Sequence, residues 1–289
     1  MRHTLTSMAE IPRRLDKYLR DSVGLSRSDC ERAWQLGRIS TSTHLSHLGE
    51  FVFPGDEVLL DGRAVALRTP KHTLIFHKPP QVVTTLREPS GRRCVGDWLA
   101  EMPAGVFPVG RLDAATTGLL LFSDDGDLAH MLMHPDHGIT KTYILDVAGD
   151  VSEDDARLNA LRDGVELDDG PARALHADVT ARRGDASAIT LDIDEGRTRI
   201  VRRMAKRVGF HLLHLHRVRV GSQWLGETVC GEWRLLDAPQ IEGLWRAVGG
   251  RDRVARSQIA ALRRRADHHR AEGRPFLRLE AWLDDKEFR

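Results

Sequence analysis

Short segments of alternating or continuous apolar residues recur through the middle of the chain. Their β-branched and aliphatic residues are typical of strands, and the stretches between them have helical character. This order predicts an α+β domain with a mostly antiparallel, mixed sheet flanked by helices. The predicted strands cover residues 72–77, 84–86, 118–122, 141–147, 188–193 and 212–220.

The first 65 residues have a different pattern, which is typical of a small α/β domain. Apolar positions at residues 15–19 fall on one face of a predicted amphipathic helix. Ser26 or Ser28 can cap a second helix, and Gly37 is placed to end it. Two short strands are predicted to follow, at residues 38–42 and 57–60.

After about residue 246 the sequence becomes rich in arginine and histidine, and Gly249 and Gly250 are placed to form a hinge. The chain therefore divides into three predicted segments: a small domain at 1–65, a larger α+β domain at 70–245, and a C-terminal extension at 246–289. Two interpretations of the extension stay open: a tail that contacts nucleic acid, or a surface helix or partly disordered terminus.

Composition favours a cytoplasmic protein. No stretch approaches the roughly 18 apolar residues of a membrane span, and residues 1–10 lack the apolar run of a secretory signal. The three cysteines, Cys30, Cys94 and Cys230, lack C-x-x-C spacing, which is consistent with a reducing compartment.

Net charge is only +1, but the positive residues are unevenly distributed. One stretch contains no carboxylate between its first and last cation and includes Arg197, Arg199, Arg202, Arg203, Lys206, Arg207, Arg217 and Arg219. Such a concentration of one sign indicates contacts with phosphate groups. A solvated helix face is the alternative explanation.

The clearest candidate for chemistry is Asp113. It follows Gly110 and Arg111 in a predicted loop and precedes a continuously apolar strand. A carboxylate next to a buried strand is held on a rigid support, as a catalytic group must be. A salt bridge within the loop, formed with Arg111, would give the same pattern.

Several ordered motifs resemble those of the pseudouridine synthases, specifically the group that modifies bacterial ribosomal RNA. Gly110-Arg111-Leu112-Asp113, followed by residues 117–121, is similar to the active-site motif of that family. The likeness covers most of residues 70–230 and continues through residues 123–129, 134–135, 141–143, 195–204 and 215–221.

The N-terminal segment resembles an S4 RNA-binding domain, in which two short helices and a small sheet present cations to folded RNA. The similar residues are 14–19, 26–28, 37–39 and 54–56. The resemblance implies RNA contacts by Arg14, Lys17, Arg27 and Arg38, with Arg13 and Arg32 as further candidates.

The family resemblance also implies roles in the larger domain. Asp113 would be the catalytic carboxylate, acting by covalent addition or by assisting loss and return of a sugar proton. Tyr143 would lie against the uracil ring, and Arg202 would pair with Asp113 and keep it ionised. Arg111 would help to hold the RNA open, and the other implied RNA contacts are Lys141, Arg199, Arg203 and Arg217.

The implied reaction is redox-neutral and takes every atom from the substrate, so neither cofactor nor metal is expected. The expected partner is structured RNA, most of all ribosomal RNA, and the expected state is a monomer without membrane association. Two rivals are a non-catalytic RNA-binding or ribosome-assembly protein that retains the fold, and a glycosidase with paired carboxylates.

Three local features refine the resemblance. Ile200 stands where the family commonly has glutamine, so any contact of that amide is absent or replaced. Asp124 and Asp125 precede a predicted helix and are better explained as caps than as an acid pair. His134 and His137 lack the spacing of metal ligands on a common face.

Overall fold

The computed structural model describes residues 11–43, 45, 47–68, 71–272 and 276–285. The first ten residues, on which the expectation about a secretory signal rests, therefore lie outside the described part. The described residues form two compact units. The first contains the residues up to Lys71 and those from Gly249 onwards, and the second is His72–Val248.

The first unit begins with two short helices and two small antiparallel sheets. Its elements are β1 (Arg13–Arg14), α1 (Leu15–Val23), α2 (Arg27–Gln35), β2 (Ile39–Thr41), β3 (Phe51–Val52), β4 (Val58–Leu60) and β5 (Arg63–Ala64). Strand β1 pairs with β3, and β4 lies between β2 and β5. The Ser26 side chain caps α2 by accepting a hydrogen bond from the Asp29 amide. The predicted helices and the serine cap are thus confirmed.

The second unit is built on one large sheet. Its strands are β6 (Thr73–Lys78), β7 (Phe107–Val109), β8 (Thr117–Ser123), β9 (Lys141–Ala148), β10 (Val165–Leu167), β11 (Gly170–Ala172), β12 (His176–Arg183), β13 (Ala186–Ile193), β14 (Leu212–Val220), β15 (Gln223–Trp224) and β16 (Trp233–Leu235). Its helices are α3 (Gly126–Met133), α4 (Ala156–Asp163), α5 (Ile200–Arg207) and α6 (Ala238–Ala247).

The order across that sheet is β12-β13-β9-β14-β8-β6-β16, while β7 also pairs with β8 and β15 with β14. Strands β10 and β11 form a separate hairpin. Within the large sheet, the β14–β8 pair is parallel and the other described pairs are antiparallel. The expected mostly antiparallel, mixed sheet flanked by helices is therefore confirmed.

Strand β8 is central and buried on both faces, which explains its unbroken apolar sequence. Gly118 lies near its start with φ of +102°, and a Cβ atom there would lie 2.2 Å from the carbonyl oxygen of Arg217 on β14. Only glycine can adopt this conformation and permit that approach. The glycine therefore sets the close contact between β8 and β14, next to the loop that carries Asp113.

The strand predicted at residues 84–86 is wrong. The structure has only an isolated bridge between Val83 and Cys94 in this segment, among the described residues. Thr84 instead uses its buried hydroxyl to bond the backbone of Leu112. The β-branched residue Thr84 therefore supports a loop, and strand propensity alone does not reveal this role.

The C-terminal helices α7 (Arg251–Ala271) and α8 (Leu277–Asp285) belong to the first unit. One apolar cluster joins them to the N-terminal part of that unit and contains Ile11, Phe51, Phe53, Ala255, Ile259, Ala266, Leu279 and Leu283. Arg278 adds an ion pair with Asp56, at 2.8 Å from Nη1 to Oδ2. No helix in the described part of the chain has the length and apolar character to cross a membrane.

Candidate active site

Asp113 lies in the loop between β7 and β8, and about a third of its side-chain surface is open to solvent. Two side chains fix the backbone of this loop. Thr84 donates to the Leu112 carbonyl at 2.7 Å and accepts from the Leu112 amide at 3.2 Å. Lys78 donates to the Ala114 carbonyl at 3.1 Å. Residues on both sides of Asp113 are therefore held, while its carboxylate stays accessible.

Lys78 ends strand β6 and is completely buried. Its ammonium also donates to the carbonyls of Pro79 and Val82, each at 2.8 Å. Burial lowers the pKa of Lys78 to about 8, and the nearby charge of Asp113 partly opposes that shift. A buried cation with three carbonyl acceptors is a strong local tether, because leaving those acceptors unpaired would be costly.

Helix α5 and the residue just before it bring two arginines to Asp113. The Nε atom of Arg202 lies 3.6 Å from Oδ2 of Asp113, and Nη1 of Arg199 lies 3.7 Å from the same oxygen. Arg202 also donates from Nη2 to the Thr116 hydroxyl at 3.0 Å. Its Nε is buried without a hydrogen bond within the described structure, so it has a free donor facing the carboxylate. Such contacts commonly shorten when substrate binds.

Arg199 immediately precedes α5 and has a backbone φ of +54°. Positive φ is unfavourable for a residue with a side chain, and strain of this kind is found preferentially at functional sites. The pKa of Arg202 is lowered mainly by burial and secondly by the positive charge of Arg199, and it is raised by the negative charge of Asp113. The three groups thus form one electrostatic cluster.

A carboxylate outside the motif anchors the same helix. Asp169, in the turn between β10 and β11, accepts two hydrogen bonds from Arg203, at 2.7 and 2.9 Å. It also pairs with Arg197, at 2.9 Å to Nη1. Hydrogen bonding from Arg203 is the main favourable cause that lowers the pKa of Asp169. Arg203 is therefore engaged within the protein and holds α5 against this hairpin.

Tyr143 lies on β9, opposite Leu191 and Arg217 on the neighbouring strands. It is 8% exposed and belongs to the apolar cluster that contains Leu112 and Ile200. This cluster therefore extends from Tyr143 to residues adjacent in sequence to Asp113 and to Arg199. Its hydroxyl makes no hydrogen bond within the described part of the chain.

Lys141 and Arg217 lie deeper than RNA-contacting cations usually do. Arg217 is buried and donates from Nε to the Leu119 carbonyl at 2.8 Å. Lys141 donates to the Ile139 carbonyl at 2.8 Å. Burial, followed by the charge of Arg217, lowers the pKa of Lys141 to about 8. These contacts favour a supporting role in the sheet for both residues over direct phosphate binding.

The remaining cations implied by the family resemblance lie apart from this cluster or are paired. Arg111 is exposed and makes no ion pair with the described residues. In the first unit five implied cations are close to a carboxylate, and the pairs are Arg13–Asp21, Arg14–Asp16, Lys17–Asp21, Arg27–Glu31 and Arg38–Asp61. The sixth, Arg32, is exposed and makes no ion pair with the described residues.

The two aspartates after β8 have structural roles. Asp125 caps α3 by accepting from the amides of Asp127 and Leu128, and Asp124 accepts from the His72 amide at 2.6 Å. The capping interpretation is confirmed for Asp125, whereas Asp124 bonds the backbone just before β6 instead of the helix. Across the described ranges, no three His, Cys, Asp or Glu side chains cluster as a metal site would require.

Sequence reasoning missed Lys78, Thr84, Thr116 and Asp169. A signal existed for Lys78, because a lysine directly after five residues of a buried strand and before two prolines is an unusual position. Asp169 had no such signal, since its arginine partners lie about thirty residues further along the chain.

Comparisons with known proteins give matches in both sequence and fold. The family model described as RNA pseudouridylate synthase matches residues 72–207. An uncharacterized RNA pseudouridine synthase of Mycobacterium tuberculosis is 38% identical over 241 residues, which is 82% of this chain and 94% of that protein. Ribosomal large subunit pseudouridine synthase B of Vibrio cholerae is 36% identical, over 80% of this chain and 74% of that protein.

A solved structure of a pseudouridylate synthase is similar to this chain with a TM-score of 0.55. The two are 27% identical, and the similarity covers 80% of this chain and 99% of the other. The fold and the sequence comparisons therefore point to the same group of proteins.

Proposed function

Because the chain belongs to the RNA pseudouridylate synthase family, we propose that it converts a specific uridine of ribosomal RNA to pseudouridine with Asp113 as the catalytic carboxylate. The observation that carries the assignment of Asp113 is its setting. The carboxylate is accessible, its loop is fixed on both sides by Thr84 and Lys78, and two guanidinium groups face it.

The reaction breaks the N-glycosidic bond of the uridine, turns the base, and joins C5 of the base to the sugar. A carboxylate can assist by adding covalently or by taking and returning a sugar proton. Both routes need a negatively charged oxygen in a fixed position. Arg202 and Arg199 supply opposite charge at the Oδ2 atom of Asp113, which is the electrostatic requirement common to both routes.

We assign Tyr143 to the uracil ring. The target base must leave its stack before an enzyme can reach it, and stacking on an aromatic side chain offsets part of that cost. Tyr143 belongs to the apolar cluster that also contains Leu112, next to Asp113, and Ile200 of α5, which supports this role. Exposed Arg111, two residues before Asp113, would contact the RNA around the extruded nucleotide.

The substrate proposal follows from relatives whose names specify the large ribosomal subunit. We further propose that the N-terminal segment is an S4-like RNA-binding domain, on the basis of its two short helices and small sheets. We also propose that the protein is a cytoplasmic monomer. It needs no cofactor, because the reaction is a redox-neutral rearrangement inside one nucleotide.

The test is pseudouridine mapping of ribosomal RNA, by carbodiimide labelling and primer extension, in cells with and without the gene. One defined pseudouridine should disappear in its absence and return with the wild-type protein. Asp113→Asn should not restore it, although the purified variant should bind RNA within a few-fold of wild type. Full restoration by Asp113→Asn would contradict the assignment, and an unchanged map would favour an RNA-binding role without catalysis.

A further inference from the structure

Helix α7 is the most basic element of the chain. Its 21 residues include seven arginines and two aspartates, whereas the whole chain has a net charge of +1. The helix lies outside residues 72–207, so the family match assigns it no role. Its charge therefore needs an explanation of its own.

Six of the seven arginines of α7 divide into two groups by position. Arg265 is half-buried, with its guanidinium 5.4 Å from the ring of Phe51 and 5.9 Å from that of Phe276. Arg270 pairs with Glu280 at 2.9 Å. These two side chains tie α7 to its own unit.

Four other arginines are exposed and make no hydrogen bond or ion pair within the described residues: Arg253, Arg256, Arg263 and Arg264. At 100° per residue they fall within about 100° of one another around the helix, on one side. They span about 16 Å along its axis. We call these four residues the α7 stripe.

The opposite side of α7 is anchored. Ala255, Ile259 and Ala266 are buried in the cluster with Phe51 and Phe53. This burial fixes the direction of the stripe, so the four charges are presented together on a folded surface. It also argues against insertion into a membrane surface, because a helix that lies in a bilayer needs its apolar face free.

We propose that the α7 stripe binds the phosphate backbone of the RNA substrate. Planar guanidinium groups are suited to phosphate, and unpaired cations release counterions from RNA without first breaking an internal ion pair. Most of the S4-like cations, in contrast, already face carboxylates. The proposal rests on the proposed function only in taking RNA as the substrate.

The test changes Arg256, Arg263 and Arg264 to glutamine in the full chain. A matched control changes three exposed arginines of the second unit, Arg173, Arg183 and Arg246, so that net charge falls equally. Binding to an unmodified large-subunit ribosomal RNA transcript is measured by filter binding between about 50 and 200 mM salt.

The α7 variant should bind about ten-fold or more weakly at the higher salt, and its slope of log affinity against log salt should fall by about 2. The control should keep the wild-type slope. Arg263→Gln alone should remove about a third of the change, and changing the three residues to lysine should retain most of the slope. Circular dichroism and thermal unfolding should match wild type, since the three side chains are exposed.

Equal slopes for the α7 variant and the control would overturn the proposal and leave an acidic protein partner as the explanation of the stripe. Turnover separates this result from the proposed function. The α7 variant should retain wild-type kcat at saturating RNA with a raised KM. A wild-type protein that binds the transcript with a steep slope but never forms pseudouridine would contradict the proposed function alone.

Discussion

Helices α5 and α7 are both rich in arginine, but their charges are used differently. On α5, Arg202 faces Asp113 and Arg203 is held by Asp169, so these two cations occupy fixed positions inside a site. On α7, the stripe faces solvent without a carboxylate partner in the described structure. The comparison teaches that pairing and burial, rather than arginine content, separate the two helices, and this difference is the basis for proposing a catalytic role on α5 and RNA binding on α7.

The strongest test of this difference compares two arginines within α5. Arg202→Gln should lower kcat by about 100-fold or more, because removing one preorganised charge from a catalytic site commonly costs that much. Arg207 is the matched control, since it is on the same helix but exposed and unpaired among the described residues. Arg207→Gln should leave kcat unchanged and at most raise KM. Equal losses of kcat in single-turnover assays would show that α5 acts only as a charged surface.

The pH dependence of stability tests whether Lys78 is buried as a cation in the folded protein. The pKa of Lys78 is about 8 in the folded protein and 10.5 in its ordinary state, so between these values the unfolded chain binds more protons. Unfolding free energy attributable to Lys78 should therefore rise with pH across this window, by about 3 kcal/mol, and stay constant below it.

This dependence is measured as the difference in urea unfolding between wild type and Lys78→Met at pH values below 8 and near 10. Lys206→Met provides the control, because Lys206 is exposed. A difference for Lys78→Met that does not change with pH would mean that its ammonium is not desolvated in solution.

The smallest expected effect concerns Asp169, which holds α5 through Arg203 and Arg197 but does not belong to the proposed reacting groups. Asp169→Asn should lower kcat by at most about five-fold, as partly exposed ion pairs are weak, and should leave RNA affinity unchanged. Asp178, which pairs with Arg162 at a similar exposure, is the control, and Asp178→Asn should leave kcat at the wild-type value. A fall in affinity without a fall in kcat would return Arg197 and Arg203 to an RNA-contacting role.

The sequence was most informative where a pattern is local. Strand periodicity predicted the mixed sheet, and Ser26 and Asp125 were recognisable as helix caps from their immediate neighbours. The segment 84–86, wrongly predicted as a strand, has the composition of one, but its Thr84 supports the loop at Leu112 instead. The strand propensity of a residue shows which backbone conformations it tolerates, and its tertiary contacts decide which conformation it adopts.

Long-range partners were beyond the sequence. Nothing near Arg203 in the sequence indicates Asp169, and nothing near Arg278 indicates Asp56, because each pair forms only when distant elements pack. The family resemblance singled out Asp113, Tyr143 and Arg202 for the site. It could not indicate that Lys78 is buried beneath the loop or that Arg217 faces a carbonyl of β8.

The first unit is discontinuous along the chain, since the whole of His72–Val248 separates its two parts. During synthesis on the ribosome, Phe51 and Phe53 emerge long before α7 and α8, which cover them in the finished protein. At about 5–20 residues per second, the interval lasts roughly ten seconds or more. A chain released before residue 249 would carry Asp113, Arg199 and Arg202 together with an uncovered aromatic surface, which is the kind of surface that chaperones and proteases recognise.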